Sequence, residues 1–302
     1  MSKLERLREL IRSYGSCLVA YSGGVDSVFL ACVAGDVLGD RSLAVIADSP
    51  SLPRRELAEA LSVAEQFHLT VRVVRTGEFA NPDYVSNPNN RCYFCKHELF
   101  EQLASIALKE HFAVVAYGEN ASDAGDFRPG AQAAAEYQVR APLKEIGLVK
   151  QEVRELSAQL GLPTADKPQM ACLSSRVPHG EAVTPEKLAM IERAENVLRD
   201  LGFHDVRVRH HEPDYLGEPS RAKPSGDTLQ LRVLQPSPQT SQCLARIEVG
   251  VDELPKLIEN ELFLKVAEAF RSIGYKHVTL DPRGYRRGSL NVPILPAKAP
   301  SI

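Results

Sequence analysis

Four short apolar runs divide the first half of the chain, and helical spacings of apolar residues lie between and after them. The runs are CLVAY at 17–21, SLAVIAD at 42–48, LTVRVV at 69–74 and AVVAYG at 113–118. Such continuously apolar runs are typical of parallel strands that are covered on both faces. The predicted helices span 26–38, 53–67, 95–109 and 149–160. Alternating strands and helices predict a doubly wound α/β domain with a parallel sheet.

Two of these helices carry recognisable end signals. Pro53 suits the first turn of its helix, and Ser51 is available as the N-cap. Gly161 and Pro163 follow the helix at 149–160 and would close it.

A different pattern begins after residue 165. A stretch rich in Pro, Ser, Lys and Gly comes first, and the sequence TPEK then caps a helix that runs from Thr184 through Leu201. The later elements are the alternating run VRVRH at 206–210, ARIEV at 245–249, a helix near 254–272 and YKHVTL at 275–280. TLQLRVL at 228–234 is a candidate strand, and 212–227 is a candidate loop or insertion. This half predicts a smaller α+β domain.

These patterns predict four divisions of the chain. A PP-loop ATP-binding domain, so named for the motif described below, spans 1–165, and a connecting active-site segment spans 166–182. An α+β substrate and oligomerisation domain spans 183–291, and a tail spans 292–302. A chain of 302 residues has room for about two domains of ordinary size.

Composition narrows the class of protein. The chain is 44% hydrophobic and 25% charged, as globular proteins are. Its net charge of −3 gives no global reason to expect nucleic acid as a partner. No apolar run approaches the ~20 residues that span a bilayer, and the start MSKLERLRELIRSYG lacks the apolar centre of a signal peptide. Six spread cysteines do not resemble a disulfide framework. We therefore expect a cytoplasmic protein without membrane contact.

The loop after the first strand is the clearest candidate for chemistry. In a parallel sheet, ligands bind at the carboxyl ends of the strands, and SGGVDS at 22–27 lies at the first of these ends. Glycines allow close approach of the backbone, and the following helix offers unpaired N–H groups to an anion. Asp26 is a suitable ligand for Mg²⁺ that bridges phosphates. The loop lacks the ending of a Walker A motif, and a glycine turn without any ligand is the alternative.

SGGVDS resembles the signature of the PP-loop ATP pyrophosphatases. That resemblance implies cleavage of ATP between the α and β phosphates, which leaves an adenylated substrate. GENASDAGDFRPG at 118–130 resembles a second nucleotide motif of this group. Lys150 either reaches the pyrophosphate or is a solvated lysine at a helix start. The candidate ATP ligands are Ser22, Gly23, Gly24, Val25, Asp26, Ser27, Asp48, Gly118, Asn120, Asp123 and Lys150.

Cys92 and Cys95 form a CxxC motif at a helix start. Thiolates at this spacing suit zinc or an iron–sulfur cluster, and a redox pair or a chance spacing are alternatives. No second CxxC is present, so Cys172, His97 or His179 would have to complete a metal site. Three thiolates on a cubane would leave one iron free to carry a replaceable sulfide, whereas a protein persulfide would need only one cysteine. We interpret Cys17 and Cys32 as core thiols.

Further motifs extend the resemblance to nearly the whole chain. Together with SGGVDS and GENASDAGDFRPG they are CYFCKHELF, RAPLKEIGLVKQEVRELSAQLGLPTADKP, ACLSSRVPHG, LGFHDVRVRHH, ARIEV and GYKHVTLDPRGYRRGSLN. This series resembles the LarE family of sulfur transferases. The resemblance implies ATP-dependent conversion of the carboxylates of pyridinium-3,5-biscarboxylic acid mononucleotide to thiocarboxylates, for the nickel-pincer nucleotide cofactor of lactate racemase. Residues 212–242 exceed the length that this resemblance leads us to expect.

The presence of Cys92, Cys95 and Cys172 is similar to the LarE members that bind a [4Fe–4S] cluster. The resemblance then implies that sulfide held by the cluster attacks the adenylated carboxylate and expels AMP. It also implies a homo-oligomer, with a hexamer as one form, and a separate sulfide donor.

The substrate carries a phosphate, for which basic side chains are needed. Ser175 and Arg176 lie near Cys172, while Arg207 and Arg209 share one face of a predicted strand. Glu248 on ARIEV is a candidate to orient Arg209. A solvated strand face is the alternative for the two strand arginines.

Three rival functions fit parts of the sequence. A PP-loop enzyme that thiolates tRNA can also use three cysteines and a cluster, but RNA binding would call for a basic groove. A PP-loop synthetase that uses ammonia would leave the cysteines to bind zinc. A noncatalytic nucleotide-binding protein would release no pyrophosphate.

Overall fold

The computed structural model describes residues 1–123, 129–212 and 242–286. The chain divides into two compact units, Met1–Leu173 and Ser174–Ile302. The candidate strand at 228–234, nearly all of the candidate insertion at 212–227 and the tail at 292–302 lie outside the described residues, and the predicted domain bounds stay predictions. Within the described ranges, no helix combines the length and apolar character needed to cross a membrane.

The first unit contains a parallel four-stranded sheet between helices. The strands are β1 (Cys17–Ala20), β2 (Ser42–Asp48), β3 (Val71–Arg75) and β4 (Val114–Tyr117), in the order β3-β2-β1-β4. The helices are α1 (Lys3–Tyr14), α2 (Val25–Leu38), α3 (Arg54–Gln66), α4 (Pro82–Val85), α5 (Arg91–Glu110), α6 (Pro129–Glu136), α7 (Pro142–Glu145) and α8 (Lys150–Gln159). The predicted α/β class and all four predicted strands are confirmed.

Both faces of the sheet are covered, which explains the unbroken apolar runs. Cys17 and Val19 belong to a core with α1 and α2, whereas Leu18 and Ala20 belong to a second core with α5 and α6. Because the strands are parallel and in register, their carboxyl ends lie along one edge. The segments that follow β1, β2, β3 and β4 are therefore brought together there.

Two predicted helix starts are wrong in detail. Pro53 is itself the N-cap of α3, and Ser51 does not cap it, because the Ser51 hydroxyl is hydrogen-bonded to Ser49 instead. Helix α5 begins at Arg91, so that both cysteines of the CxxC motif lie on its first turns.

The second unit is an α+β fold with a mixed sheet. Its strands are β5 (Val206–His211), β6 (Leu244–Val249) and β7 (His277–Leu280), and β6 pairs antiparallel with β5 and parallel with β7. Helix α9 (Pro185–Asp200) starts at Thr184, whose side chain accepts a hydrogen bond from the Lys187 N–H as the sequence predicts. The single helix predicted near 254–272 is two helices, α10 (Leu254–Ile258) and α11 (Leu262–Ile273), because Glu259 is extended and Glu261 is left-handed.

Candidate active site

The turn from β1 into α2 presents the N-terminus of a helix without a side-chain cap. Gly24 is the N-cap residue and, having no side chain, leaves the first N–H groups of α2 uncapped. Ser22 and Ser27 bridge the turn, because the Ser27 hydroxyl accepts a hydrogen bond from the Ser22 N–H at 3.1 Å and donates to the Gly24 carbonyl at 3.0 Å. Uncapped N–H groups and the helix dipole suit a phosphate chain.

Two glycines make this turn possible. Gly23 has a φ of +71°, and a Cβ there would lie 2.6 Å from the Cβ of Ala60. Gly118, which follows β4, packs directly on the turn, and a Cβ there would lie 2.9 Å from backbone atoms of Asp26 and Ser27. The loop after β4 therefore closes against the loop after β1, where any larger residue would push them apart.

Asp26 is the meeting point of three of the predicted ATP ligands. Its carboxylate accepts hydrogen bonds from Lys150 Nζ at 2.5 Å and from Asn120 Nδ2 at 3.2 Å. Asn120 is buried, and its backbone N–H donates to Asp123 Oδ2 at 3.2 Å. Of the two interpretations of Lys150, the solvated lysine does not match this geometry. A carboxylate held in this way is placed to bind Mg²⁺ once the ammonium moves to a phosphate.

A cavity of about 490 Å³ opens at this edge of the sheet. The predicted site residues that line it are Ser22, Gly24, Asp26, Ser27, Gly118, Cys92, Cys95 and Cys172. The turn after β1 and all three cysteines of interest thus lie on the wall of one cavity, within the first unit.

The three cysteines reach the cavity from two directions. Cys92 and Cys95 lie on the first two turns of α5. Cys172 lies next to Leu173, whose N–H donates to the Ser51 carbonyl at 2.8 Å, and its Sγ is 3.9 Å from Arg91 Nη2. Cys17 and Cys243 are buried in the cores and Cys32 is half-buried, as expected for structural thiols.

The electrostatic surroundings keep two of these thiols protonated in the absence of a ligand. Burial raises the pKa of Cys95 to about 12, with smaller contributions from the charges of Glu78 and Cys172. Burial and then Cys172 raise the pKa of Cys92. The thiols are close enough to influence one another, and a bound cationic group would favour their thiolates.

The donor set fits an iron–sulfur cluster by its chemistry. In the described part of the chain, no three His, Cys, Asp or Glu side chains are arranged around one point that could hold a metal ion. A single zinc ion needs its ligands in one coordination sphere, whereas the cysteines of a cluster bind different irons around it. Three soft thiols on one cavity wall match the second requirement. His97 is hydrogen-bonded to Tyr137 and does not line the cavity.

Several cavity residues were missed in the sequence. They are Ser49, Ser51, Thr76, Glu78, Lys96 and Glu119. Thr76 and Glu78 directly follow β3, so the rule that ligands bind at carboxyl ends of parallel strands would have selected them. Asp48, which was predicted, does not line the cavity, and its carboxylate is paired with Arg54 at 2.5 Å.

The predicted phosphate ligands of the second unit form a buried network of their own. Arg176 Nε and Nη2 donate to the carboxylate of Glu195 at 2.8 and 3.1 Å. Arg209 donates to Glu248 Oε2 through both Nε and Nη2 and to the Ser175 carbonyl at 2.9 Å. The predicted orienting contact of Glu248 with Arg209 is therefore present. The alternative of a solvated strand face does not hold, because both strand arginines are buried.

Arg207 is the least compensated cation of this network. Its guanidinium lies 4.7 Å from the ring centroid of Tyr285, and Nη1 donates to the Val206 carbonyl. Burial, followed by the charge of Arg176, lowers the pKa of Arg207. Surplus positive charge at a buried arginine favours an anionic ligand.

Comparisons with known proteins agree with this geometry. No family model matches the chain. The chain is 42% identical to an uncharacterized protein of Synechocystis sp. over 96% of this chain and 97% of the relative. It is 32% identical to the pyridinium-3,5-bisthiocarboxylic acid mononucleotide synthase of Lactiplantibacillus plantarum, over 90% and 88%. It is 27% identical to one subunit of the glutamine-hydrolyzing GMP synthase of Thermococcus kodakarensis, over 66% and 68%.

Proposed function

This chain belongs to the LarE family of pyridinium-3,5-bisthiocarboxylic acid mononucleotide synthases, and from that membership we propose that it is an ATP-dependent sulfurtransferase. Its substrate in this proposal is pyridinium-3,5-biscarboxylic acid mononucleotide, in nickel-pincer nucleotide biosynthesis. The observation that carries the proposal is the single cavity whose wall holds both the anion-binding turn and Cys92, Cys95 and Cys172. Activation by ATP and delivery of sulfur can therefore act on the same carboxylate.

The first half of the proposed reaction activates the carboxylate. A carboxylate oxygen attacks the α-phosphorus of ATP, and the bond to the departing pyrophosphate breaks. The uncapped N–H groups at the start of α2 and the ammonium of Lys150 would stabilise the charge on that leaving group. Asp26 would hold Mg²⁺, which bridges phosphate oxygens and neutralises them. Asn120 positions Asp26 for this task.

The second half replaces AMP by sulfur. A new carbon–sulfur bond forms at the carbonyl, and the carbon–oxygen bond to AMP breaks. A [4Fe–4S] cluster bound by Cys92, Cys95 and Cys172 would supply a replaceable sulfide at this place. The start of α5 and the hydrogen bond from Leu173 to Ser51 fix these thiols beside the anion-binding turn.

The phosphate of the substrate is assigned to the second unit in this proposal. Ser175, Arg176, Arg207 and Arg209 would provide the donors, with Glu248 holding Arg209 in place. Arg176 is already paired with Glu195, so Arg207 is the most available of the three arginines.

Three further features belong to the same proposal. The enzyme would work in the cytoplasm, where thiols remain reduced. It would act as a homo-oligomer, with a hexamer as one form. A separate sulfide donor would renew the transferred sulfur.

The decisive experiment counts sulfur product per protein chain under anaerobic conditions with added sulfide. We expect ATP-dependent release of pyrophosphate, several thiocarboxylates per chain, and iron with acid-labile sulfide in the protein. Cys95→Ala and Cys172→Ala should lose the iron and the repeated turnover, whereas Cys32→Ala should keep both. A protein without iron that keeps its activity after Cys95→Ala would overturn the cluster, and at most one sulfur per chain would indicate a sacrificed cysteine.

The similarity to a GMP synthase favours one second candidate, a synthetase that uses ammonia. The same activated carboxylate would then give an amide. Ammonia in place of sulfide tests this directly, because an amide product formed faster than the thiocarboxylate would support the synthetase.

A further inference from the structure

Glu78 is a buried acid in the cavity that no step described above uses. It directly follows the carboxyl end of β3, is 2% exposed and lines the cavity. One carboxylate oxygen, Oε1, accepts a hydrogen bond from the Ser51 hydroxyl at 3.4 Å. The other, Oε2, is buried and has no hydrogen-bond partner. A buried carboxylate oxygen without a partner is costly unless a ligand compensates for it.

The other acids of the cavity wall already have cations. Asp26 is paired with Lys150 at 2.5 Å, and Glu119 is paired with Lys144 at 2.9 Å. Among the described residues, Glu78 has no ion pair with a lysine, arginine or histidine. Its negative charge also raises the pKa of Cys95, which places it within electrostatic reach of the sulfur-bearing wall. An anion beside thiolates needs a positive charge from elsewhere.

The missing charge has a particular chemical form. Because Oε2 is covered by protein, a ligand would act on Glu78 through its charge rather than through a hydrogen bond to that oxygen. A ring nitrogen that is positively charged by substitution carries no hydrogen, so what stabilises it is a nearby anion. In a pyridinium-3-carboxylate, this nitrogen is separated from the reacting carboxyl carbon by only two ring carbons. A carbonyl held at the thiols would therefore bring the cationic ring near Glu78.

We infer that Glu78 is the counter-charge for the cationic pyridinium ring and a specificity-determining residue of this cavity. The inference rests on the proposed function, since it specifies which feature of that substrate is recognised. Glu78 discriminates a charged ring from a neutral one and leaves the phosphate and ATP to other residues.

The test compares two probes that differ in ring charge. N-methylpyridinium-3,5-dicarboxylate has a permanently charged ring, and pyridine-3,5-dicarboxylate has a neutral ring at neutral pH. Calorimetry on the full chain, prepared anaerobically, measures the dissociation constant of each. We expect the wild-type protein to prefer the charged probe by about tenfold or more, and Glu78→Gln to reduce this preference to about twofold or less.

A matched control separates charge from structure. Glu98→Gln also turns a carboxylate into an amide, next to the same loop, because Glu98 Oε1 accepts a hydrogen bond from the Gly77 N–H at 2.9 Å. Glu98 does not line the cavity, so this variant should keep the preference. If Glu78→Gln does not fold, Glu78→Asp retains the charge and should keep the preference for the charged ring.

The outcomes separate this inference from the proposed function. Equal affinity of the wild type for both probes, or no measurable binding of either, overturns the inference even if thiocarboxylate is made. An unchanged ratio in Glu78→Gln, or a change in the KM for ATP alone, also overturns it and would assign Glu78 to the adenine. A lost ratio in a protein that makes no thiocarboxylate would support charge recognition and refute the proposed reaction.

Discussion

Lys150 Nζ lies 2.5 Å from the carboxylate of Asp26, although 124 positions separate these residues in the sequence. The pair joins the start of α8 to the first turn of α2. The buried Asn120 completes the arrangement from the loop after β4. A lysine in this position neutralises Asp26 in the free protein and is within reach of a phosphate in the complex.

Replacing this lysine should slow the first half of the reaction. We expect Lys150→Ala to lower the rate of pyrophosphate release by roughly 100-fold, because a preorganised cation at the leaving group is lost. An assay of pyrophosphate with saturating ATP measures this. Lys109→Ala, which removes an exposed lysine near the end of α5, is the control and should react at the wild-type rate. An equal rate in both variants would show that Lys150 serves only the folded structure.

A methyl group at Gly118 should disturb nucleotide binding without unfolding the protein. A Cβ there would meet backbone atoms of Asp26 and Ser27 at 2.9 Å, so the two loops would have to separate. We expect Gly118→Ala to weaken catalysis with ATP by roughly 10- to 100-fold, as displacements of about 1 Å do.

The control for Gly118 is another glycine of the same unit. Gly35→Ala would place its Cβ 3.5 Å from the side chain of Leu69, which is an ordinary contact within helix α2. This variant should be as active as the wild type and at least as stable. Steady-state kinetics at varied ATP and a urea unfolding curve for each variant provide both measurements.

The buried pair of Arg176 and Glu195 should be essential to the second unit. Both side chains are almost fully buried, and Glu195 also accepts a hydrogen bond from the Val208 N–H at 3.0 Å. Burial alone would raise the pKa of Glu195, but Arg176 outweighs it and the pKa is lowered. Glu195→Ala leaves buried arginine charge uncompensated and should reduce the free energy of unfolding by about 3–5 kcal/mol.

Urea unfolding of the full chain checks this value. Glu192→Ala on the same helix α9 removes a carboxylate outside the buried pair and is the comparison. A loss below about 1 kcal/mol in Glu195→Ala would mean that the arginine finds water or another partner.

Two neighbouring histidines should make the second unit sensitive to mild acid. Burial lowers the pKa of His210 and of His211 to about 4, with smaller contributions from Lys187 and Arg246 respectively. In the unfolded chain the ordinary value is about 6.5, so the unfolded state binds more protons between these two values. The free energy of unfolding should be unaffected by these groups above about pH 6.5 and should fall as the pH drops from about 6.5 to about 4.

NMR titration of the imidazole protons tests this prediction directly. Both histidines should stay neutral in the folded protein at about pH 5.5 and should titrate near about 6.5 after addition of urea. Variants at each position supply the assignments. A folded-state midpoint near about 6.5 for both rings would remove the expected acid sensitivity.

The sequence predicted the first unit well because its signals are local. Continuous apolar runs reported strands covered on both faces, and the glycine turn reported the first loop of the sheet edge. It did not predict Glu78 as a site residue, because nothing in the segment EFA distinguishes a buried acid from a solvated one. The burial of Glu78 arises from packing between β3 and α5, which are joined only in three dimensions.

The second unit was harder for the same reason. Arg207 and Arg209 look like an exposed polar face, since alternation in a strand normally separates a buried side from a wet one. Their burial follows from acids far along the chain, Glu195 on α9 and Glu248 on β6. The break between α10 and α11 depends on a left-handed Glu261, a conformation that the residue type does not announce.

The hydrogen bond from the Leu173 N–H to the Ser51 carbonyl fastens the residue after Cys172 to the loop that follows β2. The hydroxyl of the same serine reaches Glu78. Anyone who wished to graft this third thiol into another nucleotide-binding protein would have to transplant that distant loop as well. A chimera that exchanged only the segment around residue 172 would carry the right atom with nothing to moor it.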